Sequence, residues 1–426
     1  MNAPAARSRA EADAVVAELG RAARAASAEL AAAPAERRDD ALRAAAGAVR
    51  DAAARILEAN RTDRRRADGR GVQGALLDRL TLDADRVEAV AAGLEAVADL
   101  PDPLGRELAR WQRPNGLDIA RVSVPIGVIG VIYEARPNVT ADAAALCIKS
   151  GNAVILRGGS EAVESNRALH AALVEGLAAS ALNPAGVQIA PDQDRALVGA
   201  LLGAHGSVDV VVPRGGRSLV ERVQRDARVP VFAHLDGNNH LYLHPSADPD
   251  KALQVIVNSK MRRPGICGAL ETLLVDRAAV DRLPAIVDAL FEAGCEVRGD
   301  APAQCADARV AEASPADWDT EYLDAIVAVR VVASLDEAVA HIARHGSGHT
   351  DGILAADDDA VASFIERVDS AIVVHDASTQ FADGGEFGFG AEIGIATGRL
   401  HARGPVGPDQ LTTFKYVVRG MGQTRP

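Results

Sequence analysis

The sequence predicts an α/β protein built from two parallel-sheet domains. Within residues 128–218, three runs rich in β-branched residues alternate with predicted helices, and two of the helices begin after a pair of glycines. A second alternation of helices and strands occupies residues 249–374. Such alternation is typical of βαβ units, in which parallel strands are covered by the intervening helices.

The N-terminal region precedes these alternations and is predicted to be helical. Residues 8–66 are rich in alanine, arginine and acidic residues with helical spacing, and residues 85–99 place their valines and leucine on one face. The segment "LPDPLG" (100–105) ends this pattern. Asn115-Gly116 then marks a turn between two short strand-like runs.

The individual elements of the two alternations follow from local composition. The first contains the strands "VIGVIY" (128–133), "NAVILR" (152–157) and "VDVVVP" (208–213). The second is predicted to contain helices at 249–261, 278–293, 335–345 and 357–368, and strands at 269–275, 325–332, 352–355 and 371–374. The C-terminal run "TTFKYVV" has no strand after it, and a terminal strand of this kind often pairs with another subunit.

Composition and charge limit the classes of partner. The 426 residues are 48% hydrophobic but only 3% aromatic, which is enough for two domains with aliphatic cores. The net charge of −13 argues against nucleic acid or an anionic membrane as the main partner. An anionic small-molecule substrate stays compatible, because a local cluster of arginines outweighs the overall charge at its own site.

The cysteine pattern and the lack of a targeting segment predict a reducing, cytoplasmic location. Four cysteines occur without CxxC spacing, which argues against structural zinc and a secreted disulfide framework, and no metal is expected. No window approaches 18 uninterrupted apolar residues, so no membrane span is expected. The N-terminus is rich in alanine and arginine like a transit peptide, but its acidic residues favour an amphipathic surface helix.

Two glycine turns, "ILRGGSEA" (155–162) and "VPRGGRSL" (212–219), each follow a buried strand and open a helix. Glycine lets a ligand approach the backbone, and a helix N-terminus offers free N–H groups to a phosphate. Two such turns in one sheet indicate a dinucleotide site. Neither matches GxGxxG or the Walker A motif, and tight turning alone explains the glycines equally well.

Cys267 lies in "SKMRRPGICGALETLLV", a loop with several positive charges that leads into a strand. A thiolate is the nucleophilic form of cysteine, and we expect Arg262 and Arg263 to lower the pKa of this thiol. Gly265 and Gly268 leave room for a substrate. An incidental loop cysteine is the alternative interpretation. The other cysteines are interpreted as a core residue and two incidental residues, namely Cys147, Cys295 and Cys305.

Five blocks of sequence carry a resemblance to a known family. They are "VPIGVIGVIYEARPNVTADAAALCIKSGNAVILRGGSEA" (124–162), "VPRGG" (212–216), "RPGICGALETLLV" (263–275), "EYLDAIVAV" (321–329) and "AEIGIATGRLHARGPVGPDQLTTFKY" (391–416). Together they resemble the gamma-glutamyl phosphate reductases, a family within the aldehyde dehydrogenase superfamily. The resemblance extends over nearly the whole chain from about residue 8.

The resemblance implies an aldehyde dehydrogenase-like fold with two parallel-sheet α/β domains and a small β element for oligomerisation. The cofactor-binding domain would comprise residues 1–106 and 125–250, and the catalytic domain residues 251–400. The oligomerisation element would combine residues 107–124 with residues 401–426. A homo-oligomer, either a dimer or a tetramer, is expected.

The reaction implied by the resemblance is the reduction of L-glutamyl 5-phosphate by NADPH to L-glutamate 5-semialdehyde, phosphate and NADP⁺, the second step of proline biosynthesis from glutamate. Cys267 falls on the catalytic cysteine, and Asn138 falls on the oxyanion-hole asparagine of the superfamily. Glu321 falls on the glutamate that reaches the nicotinamide-side ribose. The cofactor loops correspond to Arg157, Gly158, Gly159 and Ser160, and to Arg214, Gly215 and Gly216.

The chemistry of these residues agrees with that reaction. An acyl phosphate is already activated, so no general base is needed to expel phosphate when Cys267 attacks the acyl carbon. The side chain of Asn138 and the backbone N–H of Cys267 would stabilise the oxyanion. Hydrolytic aldehyde dehydrogenases carry a glutamate that activates water, whereas Ala233 or His234 stands at that position here. The thioester is therefore expected to survive until hydride or phosphate takes it.

The anionic groups of the substrate require cationic partners. Arginine suits both phosphate and carboxylate through its bidentate fork. The candidates, each equally compatible with a structural salt bridge, are Arg136, Arg262, Arg263 and Arg403. His240 and His401 are interpreted as structural. Two positions depart from the family pattern, with Gly268 where asparagine is usual and "GNNH" (237–240) where "GVCH" is usual.

Two other functions stay open on the sequence alone. One is an acylating aldehyde dehydrogenase of the same superfamily that uses a CoA thioester through the same cysteine. The other is a catalytically silent scaffold for glutamate 5-kinase, the enzyme that makes glutamyl phosphate. Association with that kinase is compatible with the catalytic function as well. No residue near the expected ribose distinguishes NADPH from NADH.

Overall fold

The computed structural model describes residues 7–425, which divide into two compact units. The first unit contains the chain up to Ala233, the segment Gly388–Gly394 and the chain from Val406 onward. The second unit contains His234–Phe387 and Ile395–Pro405. Among these residues, no helix combines the length and the apolar character needed to cross a bilayer.

The secondary structure confirms the predicted alternation of helices and strands. Helices α1 to α14 span Arg9–Ala32, Ala35–Asp51, Ala53–Asp68, Ala75–Leu80, Ala84–Ala98, Val139–Lys149, Val163–Ala179, Arg195–Leu202, Arg217–Asp226, Pro249–Met261, Leu283–Glu292, Ala301–Ala306, Leu335–His345 and Asp358–Arg367. Strands β1 to β16 span Glu107–Gln112, Asp118–Pro125, Val128–Tyr133, Ala153–Gly158, Val187–Ile189, Val210–Arg214, Asn239–Leu243, Leu270–Asp276, Glu296–Gly299, Ala311–Glu312, Ile326–Val332, Thr350–Leu354, Ile372–His375, Ile395–Ala396, Gly404–Pro405 and Thr412–Arg419.

Capping residues explain where several of these helices begin. Ser8 and Glu11 form a capping box at α1, in which the Glu11 N–H donates to Ser8 Oγ at 3.3 Å and the Ser8 N–H donates to Glu11 Oε2 at 2.8 Å. The carboxylates of Asp83 and Asp248 accept backbone N–H groups at the starts of α5 and α10. These side chains satisfy donors that the first helical turn leaves unpaired.

A parallel four-stranded sheet forms the centre of the first unit. Its strand order is β5-β4-β3-β6, and every residue of β3 and β4 is buried, as expected for β-branched runs in a covered sheet. Tyr133 at the end of β3 lies opposite Gly158 in β4 and Arg214 in β6. Both glycine turns therefore leave the same edge of one sheet.

A separate antiparallel sheet in the first unit joins β1, β2 and β16. The predicted turn is present, with Gly116 at φ 85° between β1 and β2. Strand β16 runs along β2 from Thr412 opposite Pro125 to Arg419 opposite Asp118. The C-terminal strand therefore finds a partner within its own chain, and it forms an edge of this sheet.

A seven-stranded parallel sheet forms the centre of the second unit, with the order β10-β9-β11-β8-β7-β12-β13. Strands β8, β11, β12 and β13 confirm predicted strands, whereas β7, β9 and β10 were not predicted. The predicted helix at 278–293 begins instead at Leu283, after a 3₁₀ segment at Arg277–Arg282, because Pro284 suits only the first helical turn. Residues 234–250, predicted with the first domain, pack within this second unit.

Candidate active site

Cys267 lies in the loop that joins α10 to β8 in the second unit. Pro264 disfavours helical backbone in the residue before it, so the chain cannot continue α10 through this loop. The Cys267 side chain is half-buried and packs against Ile372, Ala382 and Ile395. The sulfur is therefore partly accessible, with an apolar wall on one side.

The backbone of Cys267 is fixed by the segment that departs from the family pattern. Asn239 Nδ2 donates to the carbonyl oxygens of Cys267 and Ala269, both at 2.7 Å, and Asn239 Oδ1 accepts the Thr350 N–H at 3.1 Å. A Cβ atom added at Gly237 would lie 1.9 Å from the Cys267 carbonyl oxygen. Only glycine fits at that position, so the "GNNH" segment holds the cysteine loop in place.

Two imidazoles share the site with the sulfur. Ring nitrogens of His234 and His349 and Sγ of Cys267 all lie within 4.8 Å of one another. Burial alone would raise the pKa of the Cys267 thiol, but the charge of His349 and hydrogen bonds from His234 and His349 hold this pKa well below its ordinary value. The structure assigns this effect to the histidines rather than to Arg262 and Arg263, whose side chains are exposed.

The far nitrogen of each imidazole is held by a polar partner. His234 Nδ1 lies 2.7 Å from the Ile395 carbonyl oxygen, and His349 Nδ1 lies 2.8 Å from Thr350 Oγ1. A carbonyl only accepts, so His234 carries its proton on Nδ1 and leaves Nε2 for the sulfur. The sequence had indicated His234 only as one of two residues, with Ala233, in place of a glutamate, and nothing in it pointed to His349.

Glu321 lies on the same side of the second unit as the cysteine loop. Its Oε1 accepts the Gly237 N–H at 2.9 Å. Burial raises the pKa of Glu321, and the negative charges of Cys267 and Asp236 raise it further. The side chain is therefore electrostatically coupled to the nucleophile while its carboxylate orients a backbone segment beside it.

The candidate arginines of the second unit differ in their availability. Arg403 Nη1 donates to Asp369 Oδ1 at 2.6 Å, which favours a structural salt bridge. Arg262 Nη1 lies 3.3 Å from Gln380 Oε1. Arg263 is exposed. Among the three candidate arginines of this unit, Arg263 is thus the one most available to an anionic substrate.

Asn138 and Arg136 belong to the first unit, in the loop from β3 to α6. Asn138 is exposed at the start of α6, and its Nδ2 donates to Asp142 Oδ2 at 2.8 Å. Burial raises the pKa of Asp142 to about 6, against the opposing effects of Asn138 and Arg214. Arg136 is half-buried. The amide of Asn138 is thus oriented by a carboxylate and faces solvent.

The glycine turns border a cavity of about 340 Å³ within the first unit. Arg157, at the end of β4, is buried and donates to the Gln193 carbonyl at 2.8 Å, while its Nε has no hydrogen-bond partner within residues 7–425. Glu134 Oε2 accepts the Gly216 N–H at 3.0 Å, where α9 begins. The lining includes three arginines, Arg157, Arg195 and Arg222. Of the predicted loop residues it includes Arg157, Gly159 and Ser160, but not Gly158, Arg214, Gly215 or Gly216.

Close packing explains the glycines of these turns. A Cβ atom at Gly158 would lie 2.1 Å from Asn166 Nδ2, and one at Gly215 would lie 2.5 Å from Glu134 Oε2. A Cβ atom at Gly159 would lie 2.2 Å from Glu161 Oε2. Burial lowers the pKa of Arg157, and the positive charges of Arg222 and Arg195 add to this effect against Glu161. The cavity therefore carries three guanidinium groups beside two carboxylates, Glu134 and Glu161.

The remaining residues singled out by the sequence are placed as follows. His240 is fully buried and its Nδ1 lies 2.8 Å from Asp351 Oδ1, which agrees with a structural role. His401 is exposed with φ 64°. Gly268 is buried, and an added Cβ atom would meet its nearest neighbour, a backbone oxygen, at 3.3 Å. A side chain larger than that of glycine would therefore crowd this position.

The other three cysteines lack the surroundings of Cys267. Cys147 lies within α6 and is fully buried, and burial raises the pKa of its thiol. Burial likewise raises the pKa of Cys295, to about 12. Cys305 is exposed on α12, a short helix.

Comparison with known proteins agrees with the resemblance. The model of the aldehyde dehydrogenase family matches residues 2–304. A gamma-glutamyl phosphate reductase of Rhodopseudomonas palustris strain BisB5 is 59% identical over 419 residues, which cover 98% of this chain and 97% of that protein. One of Methylobacterium sp. strain 4-46 is 61% identical over 416 residues, covering 97% and 96%.

A solved structure gives the same result at the level of the fold. The crystal structure of gamma-glutamyl phosphate reductase from Thermotoga maritima superimposes with a TM-score of 0.94 at 42% identity, covering 96% of this chain and 100% of that one. Sequence and fold therefore agree over both units. The chain belongs to the aldehyde dehydrogenase family and, within it, to the gamma-glutamyl phosphate reductases.

Proposed function

We propose that this protein reduces L-glutamyl 5-phosphate to L-glutamate 5-semialdehyde with release of phosphate, the second step of proline biosynthesis from glutamate, in the cytoplasm. Relatives that align over nearly the whole chain are named for this reductase activity. The observation that carries the proposal is Cys267, a thiol of lowered pKa beside two imidazoles. A thiolate is the nucleophile that an acyl phosphate requires.

The chemical step uses the thiolate directly. Sγ of Cys267 attacks the acyl carbon, the S–C bond forms, and the C–O bond breaks so that phosphate leaves with the electron pair. No base has to remove a proton at that moment, because the two histidines already favour the thiolate. We assign the oxyanion to the backbone N–H of Cys267 and the amide of Asn138. The substrate anions are assigned to Arg263 first, with Arg136, Arg262 and Arg403 as further candidates.

Reduction requires a nicotinamide cofactor, which the family uses and which, when bound, supplies a hydride to the acyl carbon. Cys267 then leaves as a thiolate as the aldehyde forms. Ala233 or His234 stands where hydrolytic relatives carry the water-activating glutamate, so that carboxylate base is missing here. The apolar wall formed by Ile372, Ala382 and Ile395 further restricts water near the sulfur. Both features protect the thioester from hydrolysis.

The cavity of the first unit fits the adenosine end of the cofactor, and we propose NADPH. The buried Arg157 Nε lacks a partner, and Arg195 and Arg222 line the same cavity. Three guanidinium groups suit a phosphate monoester better than a ribose hydroxyl. The loop residues Gly158, Gly159 and Ser160, and Arg214, Gly215 and Gly216 on the other turn, are proposed to hold the rest of the nucleotide. Glu321 is proposed to bind the nicotinamide-side ribose.

A coupled assay in the oxidative direction tests these assignments. L-glutamate 5-semialdehyde is supplied with NADP⁺ or NAD⁺, and with phosphate or CoA, while nicotinamide reduction is followed by absorbance. We expect phosphate to support the reaction and CoA not to support it. We expect kcat/KM to be at least about tenfold higher with NADP⁺ than with NAD⁺, since one charged hydrogen bond contributes more than about 1.4 kcal/mol.

Matched variants make this assay specific. Cys267→Ala is expected to abolish the phosphate-dependent reaction, whereas Cys305→Ala, at an exposed cysteine, is expected to leave it unchanged. Support by CoA in place of phosphate would indicate an acylating enzyme. A wild-type protein without activity would favour the scaffold function, and full activity in Cys267→Ala would exclude the thioester.

We also propose a homo-oligomer, a dimer or tetramer, formed through the sheet of β1, β2 and β16. Trp111, Phe414, Tyr416 and Val418 are exposed on this sheet, and β16 is an edge strand able to pair with another copy. Phe414→Asp with Tyr416→Asp is expected to give a smaller species by sedimentation velocity, whereas Leu400→Asp, at a residue 90% exposed, is expected to leave the mass unchanged. An unchanged mass in the double variant would exclude this sheet as the oligomer interface. Sedimentation of the wild-type protein mixed with glutamate 5-kinase tests whether the two proteins associate.

A further inference from the structure

We propose that Cys267, His234 and His349 form a binding site for a thiophilic divalent cation, Zn²⁺, which reversibly blocks the nucleophile. One sulfur and two imidazole nitrogens are ligands that zinc takes in tetrahedral sites with an open fourth position. The three atoms already lie within 4.8 Å of one another. Ligand atoms of tetrahedral zinc lie about 3.5 Å apart, so movements of about 1 Å suffice to bring them to the metal.

The outer contacts of both imidazoles match those of metal-binding histidines. Such a histidine commits its far nitrogen to a carbonyl, hydroxyl or carboxylate, which orients the ring and leaves the other nitrogen for the metal. Here the far nitrogens contact the Ile395 carbonyl and Thr350 Oγ1, at 2.7 and 2.8 Å. The two rings are held at 76° to each other with centroids 5.1 Å apart. The donor atoms are therefore oriented before any cation binds.

The burial of His349 also favours a ligand at this position. His349 is fully buried, and its Nε2 makes no hydrogen bond to a nitrogen or oxygen atom of the described range, so the Cys267 sulfur is its polar neighbour in the site. A cation placed between this nitrogen and the sulfur would be coordinated by both.

The surroundings of the three side chains also favour a cation. The Cys267 carbonyl is fixed by Asn239, so the sulfur is presented from a rigid loop. The carboxylates of Glu321 and Asp236 interact electrostatically with each other, and Glu321 interacts with the thiolate. This local negative charge raises the concentration of divalent cations near the site.

The three ligands come from separate segments of the chain, which is why cysteine spacing indicated no zinc. When Zn²⁺ binds, the Zn–S bond forms with the Cys267 thiolate, and the proton shared by the thiolate and its imidazole partners leaves to solvent. The metal-bound sulfur cannot attack an acyl carbon, so bound zinc and turnover exclude each other. Chelation removes the metal and restores the thiolate without a redox step.

Co²⁺ titration of the full-length protein tests the site without reference to activity. Cobalt replaces zinc in tetrahedral sites and reports a thiolate ligand by a charge-transfer absorption band. We expect one Co²⁺ per chain with that band, complete displacement by Zn²⁺, and recovery of the metal-free spectrum with EDTA. Cys267→Ser is expected to lose the band, and His234→Gln and His349→Gln to weaken binding at least about tenfold.

Two control variants keep the test specific. Cys305→Ser and His375→Gln alter an exposed cysteine and an exposed histidine of the second unit, and both are expected to titrate as the wild type does. Circular dichroism confirms that each variant is folded. A wild-type protein without the band, a band that persists in Cys267→Ser, or wild-type affinity in His349→Gln would each overturn the zinc site, whatever substrate the enzyme uses.

Discussion

At pH 7, a His234→Gln/His349→Gln variant is expected to react with iodoacetamide at Cys267 up to about 30-fold more slowly than the wild type. Only the thiolate reacts, and the two imidazoles are what hold the pKa of this half-buried thiol well below its ordinary value. Without them the pKa returns at least to about 8.5, where about 3% of the thiol is ionised at pH 7. Each single variant is expected to fall between these limits.

The pH dependence of the alkylation rate shows in which direction the histidines shift the pKa of Cys267. Because the pKa of Cys267 is lowered, the wild-type rate constant reaches its plateau at a lower pH than that of the double variant and falls as the pH drops through the lowered pKa. In the double variant the same fall is shifted to alkaline pH, so the two profiles converge near pH 10. A Cys305→Ser background removes the exposed competing thiol, and the buried Cys147 and Cys295 do not interfere.

The two arginines beside Cys267 in sequence provide the contrasting control. Arg262→Gln/Arg263→Gln is expected to leave the profile unchanged, because both guanidinium groups are exposed and the histidines supply the charge at the sulfur. If the pH profile shifted in the arginine variant and not in the histidine variant, the arginines would be the cause of the lowered pKa of Cys267.

The contrast between arginines and histidines shows where sequence reasoning ends. Arg262 and Arg263 are close to Cys267 in sequence, so the sequence predicted that they lower the pKa of its thiol. In the structure both arginine side chains are exposed to solvent. His349 reaches the sulfur only because the register of the seven-stranded sheet brings the start of β12 beside β7. A contact between residues that are distant in sequence and are brought together by the sheet leaves no local pattern in a single sequence.

The fold was predicted where local pattern and tertiary structure agree. Continuous β-branched runs became the buried strands β3 and β4, and their glycine turns emerged at one sheet edge. Strand β7 was missed because it begins at Asn239, directly after residues typical of a turn. The same segment fixes the Cys267 loop through Asn239. The place where turn-like sequence disagrees with the observed strand is therefore part of the functional site.

Gly237→Ala is expected to lower kcat/KM at least about 100-fold and to destabilise the protein by about 1–3 kcal/mol. The new Cβ atom would lie 1.9 Å from the Cys267 carbonyl oxygen and 2.8 Å from its Cα atom. The loop cannot yield freely, because Asn239 holds that carbonyl and Glu321 holds the Gly237 N–H. The clash is therefore relieved by a shift of the Cys267 loop, which displaces the sulfur by about 1 Å. A displacement of that size lowers the rate about 10²-fold.

Gly265→Ala is the matched control for this substitution, two residues before Cys267. A Cβ atom there meets only the Leu323 carbonyl oxygen, at 3.7 Å, so activity within about twofold of wild type and an unchanged melting temperature are expected. Thermal melts separate loss of folding from displacement of the sulfur, since a folded Gly237→Ala protein with a slow thiol isolates the positional effect. If Gly237→Ala matched Gly265→Ala in melting temperature, thiol reactivity and kcat/KM, the close packing of these two loops would not be what positions the nucleophile.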